Sequence, residues 1–261
     1  MKIREVADAL ERFAPLPLEE GYDNAGLQIG LTDVEVSRAL LCLDVTEEII
    51  AEAKTCGCNL IIAHHPLLFR GLKCISDANY VQRCVREAVK NDIAIYAAHT
   101  NLDNAMAGVN FKIAEQLELE RVSFLQNISR QGIEGGSGII GTTKSSIPTD
   151  EFLRLVKEAF SADVLMHNRC TKKSVQKVAV CGGAGDFLLE EALKQGADAF
   201  ITGEMGYHRY FGLEKQIQIC VVGHYESEQY TIELLQEVLA TLCPELETIK
   251  TKVNTNAISY L

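Results

Sequence analysis

The sequence predicts an α/β protein made of two related halves with mostly parallel or mixed sheets. Three observations carry that prediction. Short, largely apolar runs at 39–44, 60–63, 93–98, 175–181, 199–202 and 217–223 read as strands. These runs alternate with segments of helical spacing, the pattern of a sheet whose crossovers are helices. The chain also matches itself. Residues 49–63 align with 188–202, setting Ala53 on Ala192, Gly57 on Gly196 and Asn59 on Asp198. Residues 96–99 align with 221–224, setting His99 on His224 and Asp103 on Glu228. Such a repeat predicts halves related by a pseudo-twofold, with strand-end groups facing each other. The expected division is 1–125, carrying His64, His65, His99 and Asp103, and 126–261, carrying His224 and Glu228.

The elements follow in order. Ile3, Val6, Leu10 and Phe13 recur at helical spacing, so 2–14 reads as an amphipathic helix. Pro15 and Pro17 follow it in a loop, and 20–30 is irregular before turning strand-like. Within it, Asp23-Asn24-Ala25-Gly26 has the composition of a tight turn. Thr46 is placed to cap a helix reaching about Cys56, and another helix spans 80–90. The middle, 120–145, is rich in glycine (Gly132, Gly135, Gly136, Gly138, Gly141) and reads as a crossing between the halves with a short hairpin. Beyond it the alternation resumes, with helices over 148–160, 185–195 and 226–242. Gly182-Gly183-Ala184-Gly185 reads mainly as a strand-to-helix turn. A dinucleotide cradle would need a third glycine where Leu188 stands.

Composition narrows the function classes. The chain has 261 residues, 47% hydrophobic and 23% charged, which suits a packed globular core and excludes disorder. No apolar run approaches the roughly 18–20 residues of a spanning helix, so no membrane partner is expected. Formal net charge is −11, from 36 acidic and 25 basic residues, so no nucleic-acid partner is expected either. The nine cysteines are odd in number and lack C-x-x-C spacing. They read as small core residues of a reduced, cytoplasmic protein. Cys56 and Cys58, which flank Gly57, make a poor metal clip. The charged, amphipathic first residues predict no secretory signal.

The chemistry gathers at strand ends. His64 and His65 follow the strand at 60–63, His99 follows 93–98, and His224 follows 217–223. In open α/β sheets, functional groups collect where strands end. His224 and Glu228, like His99 and Asp103, are four apart and share one face of a helical turn. Imidazoles and carboxylates without a nearby thiolate point to a divalent metal: Zn, Fe, Mn, Co or Ni. A single zinc needs three or four protein ligands. His64, His65, Asp103, His224 and Glu228 already number five, with His99 in reserve, which favours two cations sharing a bridging carboxylate. Such a pair activates water for hydrolysis. His99 also suits a role as a base, a substrate contact or a support to the ligands, and His208 is a candidate substrate contact. His167 reads as an exposed loop residue.

Five ordered motifs now carry a resemblance. Asp23-Asn24-Ala-Gly26-Leu27-Gln-Ile-Gly30, Ala63-His64-His65-Pro66, His99-Thr-Asn-Leu-Asp103, Thr202-Gly203-Glu204 with Tyr207-His208, and Gly223-His224-Tyr-Glu-Ser-Glu228 resemble those of the Nif-three-like dinuclear-metal-centre family. Its members are often labelled GTP cyclohydrolase 1 type 2 homologues. The resemblance spans almost the whole chain. It implies two α/β domains, a toroidal homohexamer, and two divalent cations per subunit in a site facing an internal cavity. It implies His64, His65, Asp103, His224 and Glu228 as ligands, with Glu228 bridging. Two positions depart from the pattern: Glu204 stands where Asp is usual, and Gly206 where Lys is common. Larger members insert a domain between the halves. The Gly-rich middle here falls short of the roughly 50 residues a domain needs, so this chain is a short form. The functional expectation is a metal-dependent hydrolase acting on a small molecule or nucleotide. The alternative is a non-catalytic protein that stores or delivers metal, or a hexameric scaffold.

Overall fold

The computed structural model describes residues 1–169 and 171–261; Cys170 lies outside the described residues. In chain order the elements are α1 (Ile3–Phe13), β1 (Gly26–Ile29), β2 (Ala39–Cys42), α2 (Glu47–Cys56), β3 (Leu60–Ala63), α3 (Tyr80–Lys90), β4 (Ala94–Ala97), α4 (Thr100–Asp103), α5 (Val109–Gln116) and β5 (Glu120–Arg130). They continue with β6 (Ile133–Pro148), α6 (Thr149–Ala159), β7 (Met166–His167), β8 (Ser174–Cys181), α7 (Leu189–Lys194), β9 (Ala199–Thr202), β10 (Gln218–Val221), α8 (His224–Glu228), α9 (Thr231–Leu242) and β11 (Thr248–Lys250).

The strands form two sheets, ordered β1-β4-β3-β2-β11 and β5-β6-β8-β9-β10-β7. In the first, β11, β2, β3 and β4 run parallel, and β1 is an antiparallel edge. In the second, β8, β9 and β10 run parallel, flanked by antiparallel β6 and β7. The expected mixed α/β architecture is therefore present. Every residue of β2, β3, β4, β9 and β10 is buried. Sheets covered on both faces select largely apolar strands, which is why these segments stand out in the sequence.

The helices begin and end where their chemistry dictates. Thr46 Oγ1 accepts the Ile49 N–H at 3.3 Å, and Asn79 Oδ1 accepts the Gln82 N–H at 3.0 Å, capping α2 and α3. Gly57 and Gly196, paired in the self-match, both take left-handed backbone (φ 68° and 70°) in the turns that lead from α2 and α7 to the next strand.

The chain divides into two compact units: Met1–Ala105 with Thr231–Ala257, and Met106–Tyr230 with Ile258–Leu261. This division differs from the sequential halves 1–125 and 126–261. The physical reason is the C-terminal segment, which returns to the first sheet: β11 pairs in parallel with β2, while α9 packs on β2 and β11. For the same reason 226–242 is two helices, α8 in the second unit and α9 in the first. The Gly-rich middle is no mere crossing. It forms β5 and β6, a long antiparallel hairpin that makes one side of the second sheet. The expected helix over 185–195 starts as a 3-10 turn at Gly185–Leu188 before α7.

Each unit has its own core. The first gathers Leu40, Ile49, Ile61, Val85 and Ile95 around its sheet, and the second Ile140, Leu189, Phe200, Ile219 and Val221. Six of the described cysteines are buried. Burial pushes the Cys58 and Cys84 thiols up to about 11, as expected of packing residues with little thiolate character. Among the described residues no helix is long and apolar enough to cross a membrane.

Candidate metal centre

In the first unit, β3 delivers His64 and His65 from a fully buried strand. Their backbone N–H groups continue the pairing with β2, donating to Cys42 O at 3.2 Å and Leu43 O at 2.9 Å. This fixes both residues before their side chains are considered. The His64 side chain is fully buried, and its Nδ1 lies 2.7 Å from the Ala98 carbonyl. His65 Nδ1 lies 2.8 Å from Asp44 Oδ1, just past the end of β2. The other oxygen of Asp44 accepts from Thr255 Oγ1 at 2.7 Å, so the C-terminal segment steadies this carboxylate. Burial alone would raise the Asp44 carboxyl. The hydrogen bond and charge of His65 and the Thr255 hydroxyl outweigh it and hold the group below its ordinary value.

His99 follows β4 and repeats the device. Its Nδ1 lies 2.7 Å from Asp23 Oδ1, 76 residues away in sequence. The Asp23 side chain is shielded from solvent. It also accepts the Asn24 N–H at 2.7 Å, the Thr100 N–H at 3.0 Å and the Thr100 hydroxyl. Burial would raise this carboxyl too, but His99, Thr100 and Asn24 together bring it down to about 2. The turn expected at Asp23-Asn24 is thus the support of a strand-end histidine. Asp103 rides on α4, the single turn opened by His99, with Oδ1 3.7 Å from His64 Nε2. The rings of His64, His65 and His99 form a triangle with centroids 4.8, 5.3 and 5.4 Å apart.

In the second unit, β10 ends at Val221 and α8 opens on His224. One helical turn brings His224 Nε2 to 3.1 Å from Glu228 Oε2, the contact that the four-residue spacing predicts. His224 Nδ1 lies 2.7 Å from Glu204 Oε1. Glu204 therefore serves the histidine at the very position where the sequence departs from the family's pattern. Gly206, the other departure, donates its N–H to Asp186 Oδ2 at 3.3 Å.

Residues 182–185 form the expected strand-to-helix turn, and Gly183 also lies against the site. Its backbone is left-handed (φ 59°), and a Cβ there would collide with Glu228 Oε1 and come within 3.4 Å of His224 Nε2. The loop is therefore glycine because two candidate ligands lie against its backbone. Its N–H groups are committed internally: Gly182 to Asn110 Oδ1 at 3.0 Å, Gly183 to Ser227 Oγ at 2.9 Å and Gly185 to Thr202 Oγ1 at 3.1 Å. That leaves little of a phosphate cradle. Only the tight Gly-Gly spacing after a strand signalled the close approach.

His208 stands apart. It is exposed on a 3-10 turn, stacked 6.2 Å from Phe211 and edge-on to Tyr207. His167 is exposed, as expected, but lies in β7 rather than a loop. Among the described residues, His208, His167 and the cysteines join none of the groups able to hold a metal.

A common principle links the four strand-end histidines. Carbonyls and carboxylates accept hydrogen bonds, so Nδ1 carries the proton in His64, His65 and His99 and turns Nε2 to the site, while His224 lies between two carboxylates, with Glu204 on Nδ1 and Glu228 on Nε2. Metal-ligating histidines are oriented in this way. The donor set, imidazole with carboxylate and no thiolate, therefore fits a divalent cation of the borderline class.

Known proteins resemble this chain along its whole length. A protein of Clostridium perfringens named GTP cyclohydrolase 1 type 2 homolog is 33% identical over 254 residues, covering 97% of each chain. One of the same name from Campylobacter jejuni is 31% identical over the full length of both. The crystal structure of Staphylococcus aureus protein SA1388 superposes with a TM-score of 0.90 at 26% identity, covering 100% of this chain and 99% of that one. The family model described as Duf34/NIF3 (NGG1p interacting factor 3) matches residues 1–257, and the chain belongs to that family.

Proposed function

We propose that the chain binds two divalent cations through His64, His65, Asp103, His224 and Glu228, with Glu228 bridging, and uses them to hydrolyse a small molecule or nucleotide. The observation that carries this reading is the uniform presentation of the imidazoles: every strand-end histidine has its Nδ1 fixed by a backbone or carboxylate oxygen. A protein with no use for the other ring nitrogens has no reason to build that support four times. When bound, a cation pair lowers the pKa of a shared water and stabilises an oxyanion. The chain's own contribution is to hold the ligating atoms in place and to keep Glu228 shielded from bulk water. The names of the relatives support a nucleotide as the substrate class. The same reading places the protein in the cytoplasm as a toroidal homohexamer, supported by the resemblance and by exposed Tyr207 and Phe211.

The test combines metal counting with turnover. Asp103→Ala and His224→Ala should each lower metal content, with far-UV circular dichroism unchanged. Near-stoichiometric metal in both variants refutes the ligand assignment. Nucleotides, phosphoesters and cyclic amides are then screened with and without chelator. Turnover abolished by chelation and by Glu228→Ala supports the hydrolase. Full metal loading with no turnover on any of these substrates favours storage or delivery.

A further inference from the structure

We infer that Tyr22 and Phe69 form the stacking surface for the planar base of a nucleotide substrate, with Arg70 beside them taking its phosphate. This deepens the proposed function and rests on its reading that the site acts on a nucleotide. Phe69 and Tyr22 are 43% and 65% exposed. Large aromatic side chains left in water beside a polar cluster mark a surface that a ligand covers. Phe69 stands edge-on to His99 at 6.3 Å, and Tyr22 edge-on to Phe69 at the same distance. All of these residues belong to the first unit. Every nucleobase has a π-face, so stacking on aromatic rings holds one whatever its sequence identity.

The support behind Phe69 separates it from a stray surface ring. Residues 22–24 act in succession. Tyr22 supplies a ring. Asp23 Oδ1 lies 2.7 Å from His99 Nδ1. Asn24 Nδ2 donates to the Leu68 carbonyl at 2.7 Å. Gln28 Nε2 donates to the Asn24 carbonyl at 2.6 Å, and Gln28 Oε1 accepts the Leu68 N–H at 3.0 Å. Both backbone groups of Leu68 are thus tied down one residue before Phe69, by the same short segment that fixes His99. Asp23 and Asn24 together set the distance from the aromatic surface to the strand-end histidines. A ring that merely fills space needs no such register, whereas a stacking surface held in place loses less freedom when its ligand binds. Arg70 follows Phe69, is exposed, and makes no ion pair or hydrogen bond among the described residues. A guanidinium pairs readily with phosphate. In a chain of net charge −11, a cation left unspent beside Phe69 offsets the field that repels an anionic substrate.

The test titrates the full-length, Zn2+-loaded protein with GMP, guanosine and ribose 5-phosphate. Wild type should bind GMP at least about fivefold more tightly than ribose 5-phosphate, the smaller end of what stacking one base contributes. Phe69→Ala should lose that preference with metal content and far-UV circular dichroism unchanged, and Phe69→Trp should keep it. Arg70→Gln should weaken GMP and ribose 5-phosphate alike and leave guanosine unaffected. Equal GMP affinity in wild type and Phe69→Ala, at equal metal content, overturns this inference and leaves the proposed cation site standing. Wild type that takes up no Zn2+ overturns the cation site, while the same titrations still decide the stacking surface, because no contact in it passes through a cation. A changed mass of Phe69→Ala by light scattering, with GMP affinity unaltered, means that the rings meet a second copy of the chain and overturns the inference. If Phe69→Ala does not fold, Phe69→Leu keeps the apolar bulk without the π-face, and unaltered GMP binding to that variant overturns it equally.

Discussion

What these histidines offer is settled by the acceptor on each Nδ1 rather than by the histidines themselves. Glu204 illustrates this. Removing its carboxylate leaves His224 in place but lets the ring rotate and change tautomer. Glu204→Ala should therefore weaken metal binding by about 10–100-fold with little change in melting temperature. Glu204→Asp, which keeps the accepting carboxylate, should retain most of the affinity. Competition with a chromophoric chelator reads both, and equal affinity in wild type and Glu204→Ala would remove Glu204 from the site. Gly183→Ala acts by a different route. The new methyl must displace Glu228 and occupies left-handed backbone, which costs about 1–2 kcal/mol. Metal content should fall further than that modest loss of stability explains. Circular dichroism beside metal analysis separates the two effects.

The self-match acquires a meaning among strands and helices. Asn59 opens β3, and its Oδ1 accepts the Ser37 N–H at 2.8 Å, just ahead of the neighbouring strand β2. Asp198 opens β9 and accepts the N–H groups of Gln176 and Lys177 in the neighbouring β8, at 3.1 and 2.9 Å. The repeat thus preserves a polar clamp between parallel strands, together with the left-handed glycine before it. Burial alone would raise the Asp198 carboxyl, but Lys172 at 2.6 Å and the two backbone donors hold it below its ordinary value. A depressed folded-state pKa stabilises the protein above the unfolded value of about 3.9, and that contribution is lost as pH falls through the folded value. The melting-temperature gap between wild type and Asp198→Asn should therefore be widest at neutral pH and narrow in acid. A gap constant with pH would show that the carboxylate's charge does not matter. At α2, Thr46→Ala should cost about 1 kcal/mol through the lost cap, measured by urea unfolding. No change in the midpoint would mean that water replaces the Thr46 hydroxyl at no loss.

At the scale of the whole chain, two sheets and two cores are threaded by one polypeptide that leaves the first unit near Ala105 and returns at Thr231. The return explains why Asp44, at a strand end in the first half of the sequence, is held by Thr255 near the end of the chain. The acidic balance of −11 makes copies repel at long range, so the proposed hexamer would have to be held by short-range apolar contact. Light scattering of the purified protein should return six times the chain mass, and added salt should preserve or strengthen that state. A monomer across a wide concentration range would overturn the hexamer.

The sequence by itself determined the central strands β2, β3, β4, β9 and β10, because burial on both faces writes them as largely apolar runs. It also marked the candidate ligands, because a histidine directly after such a run sits at the end of its strand. The four-residue spacings placed Asp103 and Glu228 one helical turn from their histidines. Only the tertiary structure decided what supports those rings. Asp23, Asp44 and Glu204 lie 76, 21 and 20 residues from the imidazoles they hold, and no periodicity encodes a hydrogen bond between strand ends. Nor could local pattern place α9 and β11 with the first sheet, since an edge strand is chosen by the sheet it completes rather than by its own residues.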